Sequence, residues 1–587
     1  MRRVGDKSSI INEATTQTIL NHDLSKMSGE DAYDEFFNVF DPLFDLDNSV
    51  LDKGKKMTYP KALPNYAIAM FLLASGKVKM LHFYNLTIPC VRQTGGELYG
   101  VYKPIVTSDD DGCLRRLMLE YNKDAKKREF EDIRMILTDL GQTGEYCDIL
   151  EMTEDPALVP CGNGVYNVYT KEFIDWEESN RRGQVFTNKL PIDYNPQAQD
   201  KQWYDKENDR YITLMEVLFD ICGHDKDKLA ALLAGMHMML RKNWEPELCL
   251  ALVDLNMVGG NGKTTIAGLL TDLIGKKNSC SIPIETMSKD FRLEPLLDKT
   301  AVINADARDC SYVEDSSMFK SLASTDEITV TVKFKSAVTG FKFGGHIFQA
   351  TQGFLKFKDS SMAIDRRFYF LDCSTHFTGS DSVIKENPLI KSDMLKQKER
   401  LEFLLYTLLE LGYERMPRFE FQKQLMKDFR NETNPVDEFL NFITDEENRQ
   451  DGEHWDDFYP TSWLYPAFTG FYYQTYQKKT TISSKSFMVS LKLWAKRHSD
   501  EGWEVPTYVD KNGKEQLLKV GHKGRMDCAE FFTGEFDSTG AQNHDQLFKF
   551  MSQPGSFDPD KVYRPHGLVR QYTCLQRVKT VVEEEDK

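Results

Sequence analysis

The stretch LNMVGGNGKTTIAG (255–268) sets a glycine cluster, one lysine and two threonines between two apolar runs. The run before it, LCLALVDL (248–255), reads as a buried β-strand, and TTIAGLLTDLIG (264–275) reads as a helix. Strand, glycine loop and helix in that order form the context of a phosphate-binding loop. Backbone N–H groups of such a loop point inward at phosphate oxygens, and the following helix adds its positive N-terminal end. On this reading Gly259, Gly260, Asn261, Gly262, Lys263, Thr264 and Thr265 line a nucleotide site. Lys263 reaches the β and γ phosphates, and Thr264 places its hydroxyl on Mg2+. The pattern G-x-x-x-x-G-K-[ST] asks for glycine at 257, where Met257 stands.

The chain has 587 residues, enough for several domains, and 41% hydrophobic residues supply their cores. Its formal net charge of -17 argues against a protein that coats duplex DNA with an open basic surface. It leaves room for one that grips nucleic acid inside a channel, where a few lysines set the local field. The 11 cysteines are an odd number and form no C-x-x-C pair, which favours a reducing cytoplasm over a disulfide framework or zinc ribbon. The N-terminus lacks the apolar core of a signal peptide, and apolar runs such as YAIAMFLLA (66–74) are too short to span a bilayer. No membrane role is expected.

The hundred residues after the loop narrow the class. KTAVINADAR (299–308) reads as a buried strand ending in an acid, Asp306, placed to hold the Mg2+-bound water. DSSMFKSLAS (315–324) is a helix capped by Asp315 or Ser316. EITVTVKFKS (327–336) alternates with period two, and TGFKFGG (339–345) returns as its partner, a hairpin carrying Lys333, Lys335 and Lys342. The hairpin is either a solvated amphipathic ribbon or a finger that touches backbone phosphates one lysine at a time. HIFQATQ (346–352) is a further strand ending at Gln352, and DRRFYFLDC (365–373) puts Arg366 and Arg367 immediately before another.

GGNGKTT, NADAR, DSSMFKSLAS with KFK, ATQ and MAIDRR, in this order, resemble the superfamily 3 helicases, closest to the poxvirus primase-helicase type found in phages, plasmids and mobile elements. Upstream, ALVPCGNGVYNVYTKEF (157–173) and VFTNKLPIDYNPQA (185–198) look like the segment that precedes the motor in that type. The resemblance covers roughly residues 90–375, and more weakly 430–500. It implies an α/β multidomain protein with an AAA+-like P-loop ATPase core, assembled as a hexameric ring around DNA in the host cytoplasm. Its family members translocate 3′ to 5′ and unwind forked duplex during replication, with ATP and Mg2+ as cofactors and a separate primase or polymerase as a further partner. Carried onto this chain, Lys263 and Thr264 take the phosphate and Mg2+ roles, Asp306 the strand-end acid role and Gln352 the polar sensor role. Arg366 or Arg367 becomes the arginine that acts on a neighbour's γ phosphate, and Lys333, Lys335 and Lys342 meet single-stranded DNA. Two departures stand out: Asp306 is flanked by Ala305 and Ala307 where an acidic pair is common, and Gln352 stands where asparagine is usual. Two rivals share the loop: a DNA-packaging or segregation ring ATPase, and a non-catalytic origin-binding initiator.

The expected layout is an acidic and aromatic N-terminal region (1–90), a segment preceding the motor (91–235), the motor (236–375) and a helical lid or linker (376–430). A winged-helix-like module (431–520) and a tail region (521–587) complete it. In the first region, residues 28–56 carry Phe36, Phe37, Phe40 and Phe44 as an apolar stripe, read as surface helices or as a docking arm. SDDDG (108–112) reads as an acidic turn capping a helix from Cys113. In the C-terminal module three helical patterns are visible; Ser484 is expected to cap the third, with Lys485, Lys492, Lys496 and Arg497 supplying positive charge for phosphates.

Overall fold

The computed structural model describes residues 6–577 except 85, 106–111, 143–147, 245–246, 257–258, 306–311, 333–336, 358–361, 374, 379–381, 445–457, 477–478, 481, 512, 519 and 522–570. Met257, Asp306, Lys333 and Lys335 lie outside the described residues. The chain divides into two compact units: residues 1–309, 315–353 and 366–422, and residues 310–314, 354–365 and 423–587.

The first unit is built on a five-stranded parallel sheet. Its strands are β1 (Cys249–Val253), β2 (Ser279–Cys280), β3 (Ala301–Asn304), β4 (His346–Ala350) and β5 (Phe368–Asp372), in the spatial order β2-β3-β4-β1-β5. All five residues of β1 and of β4 are buried, because a parallel strand is covered on both faces; β1 is apolar throughout, while β4 also buries His346 and Gln349. The helices α1 (Lys226–Leu240), α2 (Lys263–Ile274) and α3 (Lys398–Leu411) contribute Leu232, Ile266, Leu270, Leu404 and Leu408 to the same core. His237 on α1 belongs to it too, fully buried. Its Nδ1–H donates to the Leu408 carbonyl at 2.7 Å, and Nε2 accepts from Arg241 at 3.2 Å. That pairing requires a neutral ring, and burial pushes its pKa down to about 3.

Parallel strands bring all their carboxyl ends to one edge. β1 gives way there to Asp254 and the glycine loop, β3 to Ala305, β4 to Thr351 and Gln352, and β5 to Cys373. The position of β1 between β4 and the edge strand β5 puts the loop beside both neighbouring strand ends.

The hairpin pairs Ile328–Val330 with Val338–Phe341 antiparallel, with Ile328 and Val330 buried and Thr329 exposed. HIFQA, read as a further strand, is β4 of the parallel sheet. At the helix Ser317–Ala323 the cap position is Ser316, but the side-chain bond comes from Asp315, which accepts from Ser317 N at 2.9 Å.

The N-terminal residues of this unit surround a four-stranded sheet in the order Tyr102–Pro104, Leu86–Arg92, Lys79–Phe83, Ile149–Glu151. The helix Gly29–Ser49 starts at a capping box between Ser28 and Asp31, and Phe36, Phe37, Phe40 and Phe44 are buried against Ile68, Phe71 and Leu72. The phenylalanine stripe is therefore spent on the protein's own core, not on a docking arm. The helix Cys113–Leu119 begins where expected, with Gly112 as its cap residue.

In the second unit Pro435–Thr444, Thr461–Tyr476 and Ser484–Arg497 are helices packed around Phe439, Phe468, Phe487, Leu491 and Trp494. The third helix is capped by Ser483, not Ser484: the Ser483 hydroxyl accepts from Ser486 N at 3.1 Å. Two adjacent serines are equally good caps in sequence, and the helical phase selects between them. A three-stranded antiparallel sheet, Phe458–Pro460, Cys574–Arg577 and Trp503–Glu504, closes the core. Its central strand comes from the region read as a tail. Arg497 is not available to phosphates as expected, because its guanidinium is paired with the buried Asp437 carboxylate.

Candidate functional site

The glycine loop owes its shape to backbone conformations that side chains resist. Gly259, Gly260 and Gly262 have φ of 79°, 65° and 85°. A Cβ on Gly260 would stand 2.1 Å from Thr378 Oγ1, and one on Gly262 2.7 Å from Ile221 Cγ1. Space and φ together make any other residue strained at these two positions. The loop is pinned by the segment that follows β5. His376 Nδ1 donates to Gly259 O at 3.1 Å and Phe377 N to Gly260 O at 3.0 Å, while Asn261 Nδ2 donates to Cys373 O at 2.8 Å.

Above the loop opens a cavity of about 600 Å3. Gly259 through Thr265 form its floor, with Ala305, Thr351 and Gln352 from the neighbouring strand ends. Gln352 Nε2 lies 3.5 Å from where a Gly259 Cβ would be, so its amide reaches the loop. Thr264 is exposed to the cavity, and Lys263 is mostly buried with its ammonium 2.7 Å from Asn261 Oδ1 and 3.3 Å from Asp254 Oδ2. The lining also has an apolar wall from two distant segments, Val217 and Ile221 in one and Phe377, Ile384 and Ile390 in the other, among charged side chains that include Arg210, Asp220, Lys385, Glu386, Lys391 and Lys396. Those segments are tied together, since Asn208 donates to Lys385 O at 2.9 Å and Asn387 to Asp205 Oδ1 at 2.7 Å. A glycine loop with one buried ammonium, beside the apolar side chains of Ile221 and Phe377, suits a ligand with an anionic end and a flat apolar end.

The structure thus gathers Gly259, Gly260, Asn261, Gly262, Lys263, Thr264, Thr265 and Gln352 at one cavity. The remaining expected residues fall elsewhere. Arg366 and Arg367 precede β5, at the amino edge of the sheet, and neither lines the cavity. Arg366 is exposed beside Glu247 at 3.2 Å; Arg367 is 6% exposed and donates to Ser324 Oγ at 2.6 Å. Lys342 is half exposed, 3.3 Å from Glu327. It lines a second cavity, of about 650 Å3, with Lys242, Asp298, Lys299 and Glu327. Sequence reading missed the apolar wall and Asp254. The first has no motif; the second was visible as an acid ending an apolar run.

Comparison with known families finds two matches. Residues 147–209 match the family described as "D5 N terminal like", and residues 257–367 match the "Family of unknown function (DUF5906)". The first covers both segments singled out upstream of the loop, and the second spans the interval from Met257 to Arg367. No curated protein matches the chain. Among solved structures, the A form apo structure of NrS-1 C terminal region-CTR aligns with a TM-score of 0.37 at 12% identity, over 76% of this chain and 97% of that chain. The apo structure of NrS-1 C terminal region aligns with a TM-score of 0.37 at 11% identity, over 76% and 97%. Among the described residues no helix is long and apolar enough to cross a membrane.

Proposed function

We propose that this protein is an ATP-dependent DNA helicase of phage or mobile-element replication, working as a ring of identical subunits around DNA. The observation that carries the reading is the cavity at the carboxyl edge of the parallel sheet, floored by three left-handed glycines and Lys263. The D5 N terminal like match supports it, because it falls on the segment that the superfamily 3 resemblance assigns to the approach to the motor.

In this reading the loop amides and Lys263 bind the triphosphate, and the slot between Ile221 and Phe377 takes the base. Mg2+, when bound, neutralises charge developing on the transferred phosphoryl group. Thr264 would hold it through its hydroxyl, with Asp306 as the strand-end acid. Gln352 orients the attacking water or the γ phosphate from the end of β4. Arg366, exposed at the opposite edge of the sheet, cannot serve its own cavity and is the residue to complete a neighbour's. Arg367 is consumed by its contact with Ser324. Lys333, Lys335 and Lys342 on the hairpin then track one DNA strand by its phosphates.

The test is strand separation on forked DNA with either tail, by wild type and Lys263→Ala. The proposal expects ATP-dependent unwinding by wild type and none by Lys263→Ala. A wild type that hydrolyses ATP on duplex without separating strands would point to a packaging-type motor instead.

A further inference from the structure

Beneath the loop stands an acid that the phosphate-loop pattern does not contain. Asp254 follows β1 directly and is fully buried. Its Oδ2 accepts from Gly259 N at 2.9 Å and faces Lys263 Nζ at 3.3 Å, while Oδ1 has no hydrogen-bond partner among the described residues. The Lys263 ammonium is therefore drawn toward the strand end by one carboxylate and one amide oxygen, Asn261 Oδ1 at 2.7 Å. A lysine that serves a phosphate has to offer the same protons to a different oxygen. In a site shielded from water, a carboxylate competes strongly for them and also repels an incoming phosphate.

We infer that Asp254 is a positioning residue that latches Lys263 at the strand end and sets how much phosphate charge is needed to draw it away. The inference rests on the proposed nucleotide site. It has a signature that a structural role lacks. Lys263 is aimed at the β and γ phosphates, so ATP and ADP compete with the latch and AMP does not.

Asp254→Asn keeps an oxygen to accept from Gly259 N and nearly the same volume, and removes the charge. The expected result is about ten-fold tighter binding of ATP and ADP, the worth of one charge-assisted hydrogen bond, with AMP changed by less than about two-fold. Unchanged or weaker ATP binding by Asp254→Asn, or an equal shift for AMP, overturns the latch. A crystal structure of wild type with ADP gives a second reading that needs no variant. Lys263 Nζ should have left Asp254 for the phosphates, and an ion pair still intact would contradict the latch. Failure of wild type to bind any nucleotide would instead sink the site itself.

Discussion

The parallel sheet carries a cavity at each edge, and the two are built on opposite principles. At the carboxyl edge the floor is glycines in left-handed conformations and one buried ammonium held by Asp254. At the amino edge the lining is side chains of both signs, among them Lys242, Asp298, Lys299, Glu327 and Lys342, partly satisfying one another. Desolvation raises the Asp298 carboxyl above its ordinary range and lowers the Lys242 ammonium below its own. Tyr84, Asn243, Asp298 and Thr325, all at that cavity, have φ between 55° and 65° without being glycine. At one edge a single buried ion pair sits under a glycine loop, and at the other several exposed and buried charges of both signs share the lining.

The largest contrast should come from the arginine pair at the amino edge. Arg367→Ala should destabilise the protein by about 3 kcal/mol, the cost of removing a buried, hydrogen-bonded cation. Arg366→Ala should cost under about 0.5 kcal/mol, as expected for an exposed pair. Denaturant unfolding of both variants measures this; equal losses would mean that their different burial is irrelevant. If Arg366 serves a neighbour, its alanine variant should also lose ATPase activity while keeping nucleotide affinity.

At the carboxyl edge, Gly262→Ala should cost about 2 kcal/mol, because alanine must adopt a left-handed φ while pressing on Ile221. Thermal unfolding checks it. Adding Ile221→Val should recover little, since the backbone strain remains; full recovery would make the contact, not φ, the constraint.

Acid should act through the amino edge. His237, near the end of α1, and His346, which opens β4, are buried, and burial depresses their pKa to about 3 and about 4. Unfolding lets them bind protons near pH 6.5, so the folded state binds fewer protons between those limits. Stability is therefore full above pH 7 and falls on acidification, by about 2 kcal/mol per histidine at pH 5. His346→Leu should flatten the pH dependence of unfolding by about half over this window; an unchanged slope would remove His346 from the account. The smallest effect is a gain. Gly268, inside α2, has open space where a Cβ would go, and Gly268→Ala should stabilise by about 0.5–1 kcal/mol.

Legibility in the sequence follows the same contrast. The carboxyl edge was readable because its chemistry is contiguous: β1, the loop and α2 follow one another, and each glycine is required locally. Its apolar wall was not, since Ile221 and Phe377 lie more than a hundred residues apart and meet only when the sheet forms. Asp254 was overlooked because an acid after a strand usually marks a solvated turn, and only burial turns it into a partner for Lys263. Cys574–Arg577 was missed for a related reason, as a short strand whose partners, Phe458–Pro460 and Trp503–Glu504, lie far earlier in the chain. The two arginines before β5 look identical in sequence, and their division into a buried and an exposed member is a product of packing alone.

Calorimetric titration with ATP and Mg2+ tests the site most directly, using wild type, Lys263→Ala and a Lys299→Ala/Lys342→Ala pair. The account predicts binding by wild type, a loss of at least about a hundred-fold for Lys263→Ala, and a change below about two-fold for the amino-edge pair. Wild-type binding that survives Lys263→Ala, or that vanishes with the amino-edge lysines, would contradict it.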